Sequence, residues 1–377
     1  MHLCDLAPAH IRAIAPYQPG KPISELAREM GFAEADIVKL ASNENPLGIS
    51  PKARAAIAAG LDDLALYPDG NGFELKSAIA GKLGVDIAGI VLGNGSNDVL
   101  ELAARALLGP GTSAIYSEHA FAVYPLAIQA AGAQGIAVPA RAYGHDLTAM
   151  REALRDDTRI VFIANPNNPT GTLLSAEELH AFLASLPSGV AVVLDEAYGE
   201  FLDETQRAPS VAWLTEFPNL ILTRTFSKAY GLAGLRVGYA LAHPEVADLL
   251  NRVRQPFNVN SLALAGAAAA LDDSEFIARS KAVNDAGMAQ LVDGCKRMSL
   301  AHIPSYGNFV CIEVGVNATE HADAAAATKV FQALLHKGVI VRPVANYGLP
   351  GFLRVSIGLP EQNARFLAAL AEILEKP

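Results

Sequence analysis

Seven short apolar runs recur along the middle of this 377-residue chain, and an amphipathic or turn-rich segment follows each one. They are Ile90–Leu92, Thr112–Tyr116, Ile136–Val138, Ile160–Ala164, Ala191–Leu194, Leu220–Thr223 and Val237–Leu241. Each is too short for a buried helix and rich in β-branched or leucine side chains, so each is read as a strand. Strands that alternate with helices predict a mostly parallel sheet covered on both faces, because a parallel connection needs a crossover and the crossover helix shields the sheet. That is an α/β fold. Ligands of such sheets bind beyond the carboxyl ends of the strands.

The pattern changes on either side. Residues 1–45 combine prolines, a helix expected over Ser24–Met30 and an extended piece over Ile37–Leu40, and are read as an arm with part of a smaller domain. Residues 46–260 form the large domain. Residues 261–377 carry a long helical stretch from Leu262 past Met288, strands near Phe309–Val314, Val339–Arg342 and Phe352–Ile357, and a closing helix over Glu361–Glu375, which together predict a smaller α+β domain. The length itself favours more than one core.

Composition narrows the function classes. A net charge of −10 disfavours nonspecific nucleic-acid binding, which needs clustered Lys and Arg. Cys4, Cys295 and Cys311 are scattered and odd in number, so neither a disulfide framework nor a thiolate zinc site is expected. The histidines show no metal-binding spacing, and no metal is expected. Asp5, Pro8 and Pro16 do not make a signal peptide, and the apolar stretch Leu262–Leu271 is far too short to cross a bilayer. A cytoplasmic protein, with no membrane or nucleic-acid partner, is expected.

Lys228 lies in Thr225-Phe226-Ser227-Lys228-Ala229-Tyr230-Gly231-Leu232-Ala233-Gly234-Leu235-Arg236. A lysine after a serine at a strand end is ordinarily a solvated surface residue. Here Thr225 and Ser227 offer hydroxyls, Arg236 offers a cation, and the glycines let backbone approach a ligand closely; together they suit a phosphate dianion. Cations nearby also favour the neutral amine that an imine-forming lysine needs. Asp195 ends an apolar strand and precedes Glu196-Ala197-Tyr198, and one crossover fits the interval from Asp195 to Lys228. Asn168 sits in the turn Asn167-Asn168-Pro169-Thr170-Gly171 after another strand. Ser96 and Asn97 follow Gly93-Asn94-Gly95 at a helix start, a ready anion site. That turn is not a dinucleotide fingerprint, because Asp98 replaces the third glycine. An amine, a carboxylate for a pyridine nitrogen, donors for a ring hydroxyl and a phosphate cradle are the set that pyridoxal phosphate chemistry requires.

These words match the fold-type I pyridoxal-phosphate aminotransferases, and more narrowly the chain resembles the histidinol-phosphate aminotransferase family. The likeness extends through Tyr17-Gln18-Pro19-Gly20, Leu40-Ala41-Ser42-Asn43-Glu44-Asn45-Pro46-Leu47-Gly48, Tyr67-Pro68-Asp69-Gly70 and Phe352-Leu353-Arg354-Val355-Ser356. The resemblance implies pyridoxal 5'-phosphate held covalently by Lys228, which also shuttles the substrate proton, with Asp195 on the pyridine nitrogen and Asn168 and Tyr198 on the ring oxygen. It implies Phe121 stacked on the ring, and Ser96, Asn97, Thr225, Ser227 and Arg236 on the phosphate. Tyr67 would reach the partner's phosphate in a homodimer. Arg354, Arg342 and Tyr17 would anchor the substrate, with Asn168 also lining its site. The implied reaction is ping-pong transfer of an amino group from L-histidinol phosphate to 2-oxoglutarate, giving imidazole-acetol phosphate and L-glutamate, a step of histidine biosynthesis. The wording around Arg342 is shared with members that accept phenylalanine or tyrosine, so an aromatic-amino-acid aminotransferase, or a broad-specificity enzyme doing both, stands as the alternative. A decarboxylase on the same scaffold is the more distant one.

Overall fold

The computed structural model describes residues 2–315 and 323–375. A seven-stranded sheet is built from β2 (Ile90–Gly93), β3 (Ser113–Ser117), β4 (Gln134–Val138), β5 (Thr158–Ala164), β6 (Ala191–Asp195), β7 (Leu220–Thr225) and β8 (Gly238–Ala242). Its order is β2-β8-β7-β6-β5-β3-β4, with β8 antiparallel to both neighbours and every other pair parallel. All seven expected strands are present, each shifted by no more than a residue or two. Alternate side chains sort to opposite faces: Val161, Ile163, Val192, Leu194 and Leu222 enter one buried cluster, and Ile160, Phe162, Val193 and Ile221 the other. Both faces are dry, and that explains why these strands read as continuous apolar runs rather than alternating ones.

A second sheet has the order β12-β13-β10-β9, entirely antiparallel, from β9 (His302–Ile303), β10 (Phe309–Glu313), β12 (Arg342–Pro343) and β13 (Phe352–Ser356). Helices Ser274–Arg297, Ala324–His336 and Pro360–Leu374 cover it, burying Leu291, Leu334, Phe366 and Leu370 against Val310, Ile312, Leu353 and Val355. The arm joins this region: β1 (Val38–Lys39) pairs in parallel with β11 (Val339–Ile340), and Leu40 accepts a hydrogen bond from Ser356 N.

Two expected elements divide. The stretch beginning at Leu262 is two helices, Ser261–Leu271 and Ser274–Arg297, because Asp273 accepts from Phe276 N and caps a new helix. The strand expected over Val339–Arg342 splits because Val339 and Ile340 pair with the arm while Arg342 and Pro343 pair with β13. Helices Pro51–Ala59 and Phe73–Leu83 were not among the expectations. No described helix is long and apolar enough to cross a membrane.

Past Lys228 the chain turns sharply, with Gly231 N donating to Lys228 O (2.9 Å). Gly231 has φ +72°, and a Cβ there would overlap the Gly48 carbonyl oxygen. Both strain and overlap act on backbone, which has little freedom to move aside. Gly231→Ala is therefore expected to lower the unfolding free energy by about 3 kcal/mol or more, measured by urea denaturation; an unchanged midpoint would show that the turn is not held as described.

Candidate active site

Register explains why residues distant in sequence share a site. In the parallel ladder β5-β6-β7, Ala164 stands beside Asp195 and Asp195 beside Thr223, so β5 and β6 end level while β7 runs on to Thr225. The chain then leaves each strand at the same edge, with the Asn165–Gly171 turn after β5, Ala197 and Tyr198 after β6, and Ser227 and Lys228 after β7. Between β5 and β3 the direction of winding reverses, so a crevice opens there. Phe121 and Tyr124 follow β3 on its other side.

Tyr17, Ser96, Asn97, Phe121, Asn168, Asp195, Tyr198, Thr225, Ser227, Lys228, Arg236, Arg342 and Arg354 all line this one cleft. Tyr67 does not. It is 84% exposed and stacks on Phe257, with 4.9 Å between ring centroids.

Lys228 is partly buried, and its Nζ donates to Ser42 O (3.2 Å). Removal from water, then the nearby Arg354 guanidinium and to a lesser degree Arg236, hold its pKa down to about 8, while Glu44 and Asp195 act the other way. The sequence pointed to Arg236 as the depressing cation; the fold brings Arg354 to bear more strongly.

Asp195 is buried, and burial raises its pKa from the usual carboxylate range. Tyr124 opposes that shift by donating from its Oη to Asp195 Oδ2 (2.9 Å), and Ala197 N donates to Oδ1 (3.2 Å). The adjacent acid, Glu196, points the other way and is neutralised by Arg224 on β7, whose Nε and Nη2 bond Oε2 at 2.9 and 2.8 Å. Tyr124 is a participant the sequence reading missed. Its place three residues after Phe121 was the signal available.

At the other end, helix Ser96–Leu107 starts without any side-chain cap. Asp98 takes up Asn94 N instead, so the first-turn amides have no side-chain cap where Ser96 and Asn97 line the cleft. Arg236 crosses this helix start, with Nη1 donating to Ser227 Oγ (3.2 Å), and a Cβ on Gly95 would stand 2.5 Å from its Nη2. The side-chain-free residue leaves room for the guanidinium. Amides, hydroxyls and one cation thus converge on a space suited to a compact dianion.

Arg354, on β13, is buried beneath the cleft. Its Nη1 donates to Asn168 Oδ1 and its Nη2 to Ala41 O, whereas its Nε has no partner. A buried guanidinium donor left unpaired is costly unless an anion completes it. Because Asn168 spends its oxygen on Arg354, its amide nitrogen is the end free to donate. Arg342 lies with its guanidinium carbon 5.7 Å from the Tyr17 ring centre and donates to Gln18 O (2.7 Å), which draws the arm across the opening. The arm residues Ala41, Ser42 and Asn43 line the cleft as well; the sequence carried them only as part of a shared word, with no site role.

The profile of the family described as "Aminotransferase class I and II" matches residues 35–370, and the chain belongs to that family. It is 64% identical to histidinol-phosphate aminotransferase 1 of Thiobacillus denitrificans, over 98% of this chain and 93% of that one. It is 60% identical to histidinol-phosphate aminotransferase 2 of Nitrosospira multiformis, over 100% and 93% of the two chains. Among solved structures, the histidinol-phosphate aminotransferase from Sinorhizobium meliloti in complex with pyridoxal-5'-phosphate superimposes with a TM-score of 0.88 at 28% identity, covering 98% of this chain and 97% of that one.

Lysine chemistry gives a direct check on the electrostatics. Below its pKa Lys228 is an unreactive ammonium, and above it a free amine. In protein stripped of any bound aldehyde, trapping of Lys228 by an aldehyde reagent and borohydride, followed by peptide mass mapping, is expected to rise with a midpoint near pH 8. Arg354→Met is expected to move that midpoint upward, since it deletes a depressing charge; a midpoint unmoved in the variant would contradict the assignment.

Proposed function

We propose that this protein is a pyridoxal-phosphate-dependent histidinol-phosphate aminotransferase, working in the cytoplasm as a homodimer. What supports it above all is one arrangement: an amine of lowered basicity, a buried carboxylate and a phosphate-sized anion cradle share a cleft with a second anion anchor, Arg354. Relatives of that name at about 60% identity or more over nearly the whole chain point the same way.

The donor set fits pyridoxal 5'-phosphate. When bound, that cofactor supplies an aldehyde and an electron-accepting pyridine ring. Lys228 Nζ would be the amine that bonds the aldehyde carbon and, once released, would carry the proton between the substrate's α-carbon and the carbon of the former aldehyde. Asp195 keeps a proton on the pyridine nitrogen, with Tyr124 helping it stay ionised despite burial. Asn168 Nδ2 and Tyr198 Oη donate to the ring oxygen, and Phe121 packs on the ring face. The amides and side chains of Ser96 and Asn97, with Thr225, Ser227 and Arg236, bind the phosphate. Tyr67, exposed and outside its own cleft, is assigned to the phosphate site of the second copy.

Arg354 and Arg342 handle the substrates. A guanidinium fork accepts a carboxylate or a phosphate with equal ease, so the same anchors serve L-histidinol phosphate in one half-reaction and 2-oxoglutarate in the other. Tyr17 closes the opening over them. Imidazole-acetol phosphate and L-glutamate are the products, and the two half-reactions make the kinetics ping-pong.

Lys228→Ala is expected to cut kcat by about 10³-fold or more, since covalent anchoring and proton transfer are both lost, in a protein that still melts cooperatively. The substrate assignment is tested by kcat/KM on the holoenzyme. L-histidinol phosphate is expected to exceed phenylalanine by about tenfold or more, a margin of ~1.4 kcal/mol that a pocket shaped for one ring can supply. A ratio below one would transfer the protein to the aromatic-amino-acid aminotransferases.

A further inference from the structure

Asn43 belongs to the segment Leu40–Gly48, where the arm passes into the large sheet's part of the chain. It is 1% exposed, has φ +55° and touches both sides of the cleft. Its Nδ2 donates to Tyr198 Oη (3.0 Å), its Oδ1 accepts from Ser356 Oγ (3.0 Å), its N donates to Ser356 Oγ (2.8 Å) and its O accepts from Asn308 Nδ2 (3.0 Å).

Proton bookkeeping fixes the sense of this chain. A backbone N–H can only donate, so Ser356 Oγ is an acceptor toward Asn43 N and must place its own proton elsewhere. In this buried setting the acceptor it meets is Asn43 Oδ1. That assigns the oxygen end of the amide to Ser356 and the nitrogen end to Tyr198, settling an orientation that atom positions alone leave ambiguous. Tyr198 Oη therefore accepts from Asn43 and keeps its single proton for another partner, and the open side of that oxygen is the cleft. Burial pushes the Tyr198 hydroxyl up to about 12, so the proton is present throughout the working range.

We propose that Asn43 is a positioning residue that aims the Tyr198 hydroxyl proton into the cleft, and that the chain Asn43 N → Ser356 Oγ → Asn43 Oδ1, with Nδ2 → Tyr198 Oη, ties that aim to the seating of β13. The inference rests on the reading of the cleft as a pyridoxal phosphate site, where Tyr198 donates to the ring oxygen. Asn43 touches no reacting atom. It acts through Tyr198, and because Ser356 lies two residues after Arg354 on the same strand, the element that carries the substrate anchor also carries the far end of the chain.

The test is the pH midpoint of the visible absorption band of the holoenzyme. A donor on the ring oxygen stabilises the deprotonated form of the lysine–cofactor linkage, so diverting it raises the midpoint. Asn43→Asp keeps the shape and tolerates a positive φ, but offers an acceptor where Tyr198 now meets a donor. It is expected to raise the midpoint by about one unit, close to the effect of Tyr198→Phe, and to add little further in the Tyr198→Phe background. Asn43→Gly, which also tolerates this backbone, is expected to give a smaller rise that vanishes in that same background. An unchanged midpoint in both variants would overturn the inference, as would a shift that persists undiminished in the Tyr198→Phe background, since either means that Asn43 does not act through that hydroxyl. Failure of the cofactor reading looks different: the unaltered protein would then show no visible band with pyridoxal phosphate.

Discussion

Parallel strands deliver their carboxyl ends to one edge of a sheet, and the shared register of β5, β6 and β7 at that edge is the constraint on which everything else here rests. Asp195 owes its place to it, with Ala164 on one side and Thr223 on the other. The Asn165–Gly171 turn and Lys228 leave from the same edge. The winding reversal between β3 and β5 then opens the crevice into which these ends project. A slip of one residue along β6 would turn Asp195 toward the opposite face and bring Glu196 into the cleft. The apolar alternation that fills both faces of the sheet is what prevents that slip.

The second sheet contributes reach from the other side. β13 carries Arg354 beneath the cleft, and β12 carries Arg342 at its mouth, paired with Arg354 in the antiparallel register. The arm is wedged between the two sheets: β1 pairs with β11, Ser42 accepts from Lys228, and Asn43 bonds both Tyr198 and Ser356. The site is thus assembled by three stretches of chain that are far apart in sequence. Its electrostatics follow from that assembly. Lys228 is less basic than an exposed lysine because it lies partly out of water and beside a guanidinium from the second sheet.

Local words carried much of this in the linear chain. Lys228, Ser227, Thr225 and Arg236 sit within one turn-rich segment, and their types announce an amine next to an anion cradle. Asp195 and Tyr198 follow an apolar run, and Asn168 follows another. The residues that escaped notice are those whose meaning depends on a distant partner. Tyr124 reads as an ordinary core aromatic until its hydroxyl is seen on Asp195. Asn43 is one letter of a shared word until it meets Tyr198 and Ser356. The helix break at Asp272–Asp273 was legible as a cap, but the high helix propensity on both sides of it masked the signal.

By itself the sequence determined the α/β class, the order of the strands along the chain and the residues whose chemistry suits an aldehyde cofactor and two anions, because periodicity and residue type are local properties. Only the tertiary structure decided which strand ends lie level, that β8 runs against its neighbours, that Arg354 rather than Arg236 acts more strongly on Lys228, and which hydrogen-bond partner each buried polar group takes. Those are outcomes of packing. A hydrogen bond between residues 155 or 313 positions apart leaves no trace in either neighbourhood, since it exists only where folding brings two groups out of water and against each other.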